Sequence, residues 1–153
     1  MRKPILALIS IGLAGCWPDA GVLDEGRHYV NSRFHFAVDL PREGERIFSD
    51  NGDGVIVRWS DSAQMSFSGS HNALDWEDAA ALAASVHPDL PMRPVRVAGH
   101  AAVDVARGET SRSIYIVDDG FCYTLAVDGG DPAAFRRARD SFRVLRPRAI
   151  RGR

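Results

Sequence analysis

The chain has 153 residues, 45% of them hydrophobic and 25% charged, with a formal net charge of −1 at neutral pH. That is a globular composition at a length that suits one domain with a real core. Lys3 is the only lysine, so Schiff-base and lysine general-base chemistry are excluded from everything that follows the N-terminal segment.

The N-terminus begins with Arg2 and Lys3, followed by an apolar stretch from Ile5 to Ala14 and then Leu13-Ala14-Gly15-Cys16. The stretch is too short to span a bilayer, which takes roughly 20 apolar residues, and has the length of a signal peptide. Small residues directly before a cysteine resemble a bacterial lipobox. The resemblance implies that residues 1–15 are removed, leaving 138 residues, and that the Cys16 sulfur carries a diacylglyceryl group, with a further acyl chain on the freed amine. Two or more chains hold a protein stably on a membrane without crossing it, since each buried CH₂ contributes roughly 0.8 kcal/mol. Trp17 stands where enteric lipoproteins retained at the inner membrane have Asp, so the expected address is the periplasmic face of the outer membrane. A plain secretory peptide is the alternative. In that case a Cys16–Cys122 disulfide stays open, these being the only two cysteines. With Cys16 lipidated, Cys122 in the apolar run GFCYTLAV reads as a small buried core residue.

Residues 16–28 mix Pro, Gly and acids without an apolar period and read as a tether, with structure beginning near Tyr29. In RFHFAVDLP, Phe34, Phe36, Val38 and Leu40 alternate with Arg33, His35, Ala37 and Asp39, the period of a half-buried strand stopped by Pro41. Ile47-Phe48 forms a short strand before SDNGDG. Val55–Ser60 and Ala63–Ser68 form a hairpin around Asp61-Ser62, with Val55, Val57, Trp59, Ala63, Met65 and Phe67 as the apolar positions. Asn72 reads as an N-cap with Asp75 three residues on, and Ala79, Leu82, Ala83 and Val86 follow at helical spacing until His87-Pro88. PDLPMRP is a crossover. Strands are then expected at Val95–Val105 with a break at Gly99, at Arg112–Val117, and at Phe121–Val127. Asp131-Pro132 opens a last short helix with Phe135, Ala138 and Phe142 on one face.

From Arg136 onward eight Arg accompany the single acid Asp140, a net charge of +7, whereas residues 16–135 hold nine Arg and 19 acids, a net charge of −10. A basic end on an acidic body can meet phospholipid, lipopolysaccharide or an acidic protein face. The plainer alternative is that these Arg pair with the protein's own carboxylates and leave 147–153, within RPRAIRGR, as a solvated tail.

Hairpins with a helix between and after them imply an α+β fold, an antiparallel β-sheet flanked by helices. Tyr29-Val30-Asn31 followed by RFHFAVDLP, NGDG, SGSHN, VAGHAAVDV, DDGFCYTLAV and DSFRVL resembles the PsbP-like or DcrB-like α/β/α sandwich of small bacterial envelope lipoproteins. The similarity covers residues 29–146. It implies a fold and no shared active site.

Candidate chemistry is sparse. Asp50, Asn51 and Asp53 offer oxygens to a cation. An EF-hand register with Gly54 at its sixth position ends at Ser60, however, where a bidentate Glu is needed, so the stretch reads as a turn. His28, His35, His71, His87 and His100 lack the spacing and neighbours of a zinc site. Ser70-His71-Asn72 lacks a nucleophile elbow. His100 and Asp104, four apart on a strand, lie about 13 Å apart at about 3.3 Å per residue, too far for an acid–base pair. The expectation is a non-catalytic binding or assembly module without a metal or cofactor, anchored by lipid and facing an envelope protein rather than nucleic acid. Its partner surface is expected at Asp50, Asn51, Asp53, Ser70, His71 and Asn72, because polar loops at sheet ends carry variable chemistry. An immunity-type or secretion-accessory lipoprotein that binds one protein is the alternative, and a small-ligand module or an enzyme comes third.

Overall fold

The structure is a computed structural model that describes residues 21–145. The signal-peptide reading of 1–15, Cys16 and the tail 147–153 lie outside these residues. The described chain runs β1 (Gly21–Asp24), β2 (His28–Asn31), β3 (Phe36–Asp39), β4 (Glu45–Phe48), β5 (Gly54–Ser60), β6 (Ala63–His71) and α1 (Ala79–Val86). It continues with β7 (Met92–Val97), β8 (His100–Ala106), β9 (Ser111–Asp118), β10 (Phe121–Asp128), α2 (Pro132–Ser141) and β11 (Arg143–Val144).

All pairings between these strands are antiparallel, and they form two sheets. The larger has the order β4-β5-β6-β10-β9-β8-β7 and the smaller β1-β2-β3-β11. Period-2 alternation decides which side each residue faces. Val55, Val57, Met65, Phe67, Ile114, Ile116, Tyr123, Leu125 and Val127 bury one face against β3 and α2, where Phe36, Val38, Leu40, Phe135 and Phe142 meet them. Phe36 stacks on Phe142 at 5.6 Å and Phe67 on Phe135 at 6.4 Å. On the opposite face Val103, Val105 and Tyr115 receive Ala79 and Ala83 of α1. The molecule is therefore layered as α1, the seven-stranded sheet, then the small sheet with α2, the α+β arrangement of an antiparallel sheet flanked by helices.

Several local expectations change. The segment 16–28, read as a tether, contains β1, which pairs with β2 from Gly21↔Asn31 to Asp24↔His28. Of the expected strand Phe34–Leu40 only Phe36–Asp39 is extended, as β3 of the small sheet, while Phe34 and His35 lie in the turn before it, His35 with a positive φ of 55°, so alternation ran on into a turn and the strands do not all share one sheet. The helix cap is Asp78, whose carboxylate accepts from Ala81 N at 2.8 Å, and not Asn72. Asn72 instead closes a turn, with its Oδ1 accepting from Trp76 N at 2.8 Å and its Nδ2 donating to Trp76 O at 2.9 Å. Such side-chain-to-backbone bonds favour turns as readily as caps, and spacing alone does not separate the two. Val95–Val105 is a hairpin, β7 and β8, turning at Ala98-Gly99, and β7 begins within PDLPMRP. Pro94 is tolerated there because β7 is an edge strand. Asp131 caps α2 as expected, accepting from Ala133 N at 2.8 Å with Pro132 in the first turn.

Candidate functional site

The polar loops gather at one end of the large sheet. Asn31, fully buried, is their hub: its Nδ2 donates to Tyr29 Oη and Gly52 O, both at 3.0 Å, and its Oδ1 accepts from Phe34 N at 3.0 Å. Arg33 donates to Asn51 O at 2.7 Å and lies 5.0 Å above the Phe34 ring. Gly69 N donates to Asp53 O at 2.9 Å, which sets the 49–53 turn beside the end of β6 and so beside Ser70 and His71. Asn72 N donates to Gly120 O at 2.8 Å, which joins the β9–β10 hairpin to the same end. The fold thus brings together all six residues of the expected partner surface: Asp50, Asn51, Asp53, Ser70, His71 and Asn72.

Three of them serve the loops themselves. Asp53 accepts from Ser49 Oγ and, at 3.0 Å, from Asn51 Nδ2, so both its oxygens are engaged within the turn. Of the glycines in SDNGDG, Gly52 takes a positive φ of 68° while Gly54 does not. Gly54 meets a different need: a Cβ there would stand 2.2 Å from Phe67 O of the neighbouring strand. Asn72 is occupied by Trp76. Asp50, Ser70 and His71 remain exposed, and their side chains make no hydrogen bond among the described residues.

Histidines are unusually dense at this end, yet each has local company. The His71 ring lies 5.4 Å from Phe34 and 5.3 Å from Phe121, and His35 meets Phe121 edge-on at 5.4 Å. His100 Nδ1 is 3.3 Å from Asp118 Oδ1. Elsewhere His28 contacts Asp39 at 2.6 Å and His87 contacts the Tyr115 hydroxyl at 2.8 Å. Among the described residues no three His, Cys, Asp or Glu converge as a metal would need. Between His35, Asp118, Asp119 and Tyr123 there is a space of only about 20 Å³, about one water molecule in size. The Tyr123 hydroxyl is buried beside it without a hydrogen-bond partner among the described residues. Burial, reinforced by Asp118 and Asp119, pushes this phenol up to about 12, so at neutral pH it is a proton donor and not a base. Cys122 is buried, has no disulfide partner among the described residues, and has its thiol pKa raised by burial.

No protein-family model matches the chain, and no curated protein matches it. Solved structures do. A protein of Bacteroides thetaiotaomicron superposes with a TM-score of 0.58 at 11% identity over 80% of this chain, which spans 50% of that protein's length. The solution structure of the cyanobacterial PsbP protein CyanoP from Synechocystis sp. PCC 6803 superposes with a TM-score of 0.52 at 13% identity, over 88% of this chain and 99% of that one. The fold is PsbP-like. At such identities the likeness concerns the path of the chain and carries no residue roles.

The sequence reading missed one feature of this PsbP-like domain. Asp104, only 4% exposed, sits in β8 between Arg93 of β7 and Arg112 of β9 and contacts both. The available signal was an acid inside the apolar run AAVDVA, which is rarely left buried without a cationic partner. No helix among the described residues is long and apolar enough to cross a membrane.

Proposed function

We propose that the protein is a lipid-anchored envelope lipoprotein whose PsbP-like domain is a non-catalytic binding or assembly module, docking an envelope protein through its polar loop end. The observation that carries this reading is the position of β1. It begins at Gly21, five residues after Cys16, and Gly21 faces Asn31, the residue that holds the 49–53 turn. Five extended residues reach at most about 17 Å. Lipid on Cys16 therefore keeps the end bearing Asp50, Ser70 and His71 close to the membrane, where a partner embedded in or lying on that membrane is met. Trp17 favours the periplasmic face of the outer membrane. Support for a non-catalytic role comes from Asp53 and Asn72, whose side chains are committed to loop geometry.

Photo-crosslinking in cells tests this reading, with the crosslinker at Ser70 or Asp50 and, as control, at exposed Ala84 on α1. The expected result is one protein captured in stoichiometric amount from the loop positions, lost in Cys16→Ser, with the wild type lipid-modified by intact mass. Equal capture from Ala84, or no capture from the loops, overturns the docking surface. An unmodified Cys16 overturns the anchor.

A further inference from the structure

At the sheet end opposite the polar loops, an open cleft of about 230 Å³ lies between α2 and strands β7 to β10. Its floor is apolar, built from the buried Ile114, Val127 and Phe135. Four guanidiniums, from Arg93, Arg112, Arg136 and Arg139, stand around it with two carboxylates, Asp104 and Glu109.

Asp104 makes this arrangement more than a chance patch. Its Oδ2 accepts from Arg93 at 2.9 Å and from Arg112 at 2.7 Å, and its Oδ1 accepts from Arg112 Nε at 3.0 Å. One buried carboxylate thus holds two guanidiniums whose side chains remain 68% and 44% exposed. Its single charge leaves that triad with net positive charge, and each Arg keeps N–H groups directed away from Asp104. Arg136 is exposed and has no ion-pair partner among the described residues, whereas Arg139 is paired with its neighbour Asp140 at 2.6 Å. The larger groove on the other side of α2, about 440 Å³, offers a contrast: it is lined by three guanidiniums, of Arg27, Arg42 and Arg137, and three carboxylates, of Asp39, Glu43 and Asp131, so its formal charges balance. Of these two, the smaller cleft joins excess positive charge to a buried apolar floor.

We propose that this cleft binds a small organic anion, with a phosphate or carboxylate head on Arg93, Arg112 and Arg136 and a compact apolar body on Ile114, Val127 and Phe135. Guanidiniums braced in advance lose little freedom when they bind, and their hydrogen bonds to an anion are charge-assisted. At about 230 Å³ the cleft is smaller than common drug-sized pockets, so the body is about the size of one aromatic ring. The site lies within the described domain and does not depend on the lipid anchor or on the docking surface.

The test is a methyl-resolved NMR titration of the full-length protein in neutral detergent micelles with phenyl phosphate, inorganic phosphate and benzylammonium. The expected result is saturable shifts of the Ile114 and Val127 methyls with phenyl phosphate, at least tenfold weaker binding of inorganic phosphate, and none of benzylammonium. Arg136→Gln, which leaves every observed ion pair intact, should weaken phenyl phosphate at least tenfold without shifting the thermal midpoint, and adding Arg93→Gln, which also takes one of the two cations from buried Asp104 and so lowers the midpoint, should weaken it further. Equal binding of both phosphates, shifts confined to other methyls, no saturation, or undiminished binding by the variants each overturns the site.

Discussion

Tyr123 shows how a core position is set by packing more than by polar satisfaction. Its ring lies among Phe36, Phe121 and Phe142, at centroid distances of 5.9, 6.4 and 5.7 Å, while its hydroxyl finds no partner among the described residues. An unsatisfied buried hydroxyl costs roughly 1–3 kcal/mol, so Tyr123→Phe should raise stability by about 1 kcal/mol in urea denaturation at neutral pH. The pH dependence follows from the raised pKa. Between the ordinary 10.0 and about 12 the unfolded chain loses the phenolic proton before the folded one does, so stability falls as pH rises through that window. Tyr29 and Cys122, also raised by burial, act in the same direction. Tyr123→Phe should therefore flatten the alkaline loss as well as lift the neutral value. A variant less stable than wild type at neutral pH, with an unchanged alkaline slope, would refute this account.

At the scale of elements, the β5–β6 hairpin carries the loop end. Gly54 lies opposite Ser68 with no room for a Cβ, so Gly54→Ala must push β5 away from β6 or twist the 49–53 turn. The expected loss is about 1–3 kcal/mol, with altered amide shifts at Asp53 and Gly69, whose hydrogen bond spans the two. Wild-type stability with unchanged shifts would show that the strands yield freely. The hairpin around Asp61-Ser62 was legible because turn residues separate alternating runs. The start of α1 was not. Asn72, Asp75 and Asp78 all precede the helical run, and the choice fell to Asp78 because Asn72 is drawn to Gly120 and Trp76 by the fold around it.

At the scale of the whole molecule, the first and last described strands belong to one small sheet. Gly21, Asn31, Phe36 and Val144 form one cross-strand row of the small sheet, so Gly21 lies about 14 Å from Val144 of β11, at about 4.8 Å per strand. The basic residues of 147–153 lie outside the described residues, and a role for them at a membrane is a matter for experiment. Arg near an anionic surface contributes roughly 1 kcal/mol. Deleting 147–153, which removes Arg148, Arg151 and Arg153, should weaken binding of the Cys16→Ser form to anionic vesicles by up to about 100-fold at low salt. Binding to neutral vesicles should not change. An unchanged affinity would refute a membrane role for the tail.

The amino-acid sequence by itself determined the alternating strands, the turns between them, the α+β class and the gathering of apolar residues on defined faces. Each of these depends on neighbours within a few positions, and periodicity and turn chemistry report such neighbours. The tertiary structure decided what depends on residues far apart along the chain. It divided the strands into two sheets, recruited residues of the expected tether into β1, brought the 49–53 turn beside Ser70, and joined Arg93 and Arg112 through Asp104. An acid within AAVDVA shows that a cation must lie near it. Which cation, and whether a cleft opens beside it, depends on the strand register and on where α2 packs.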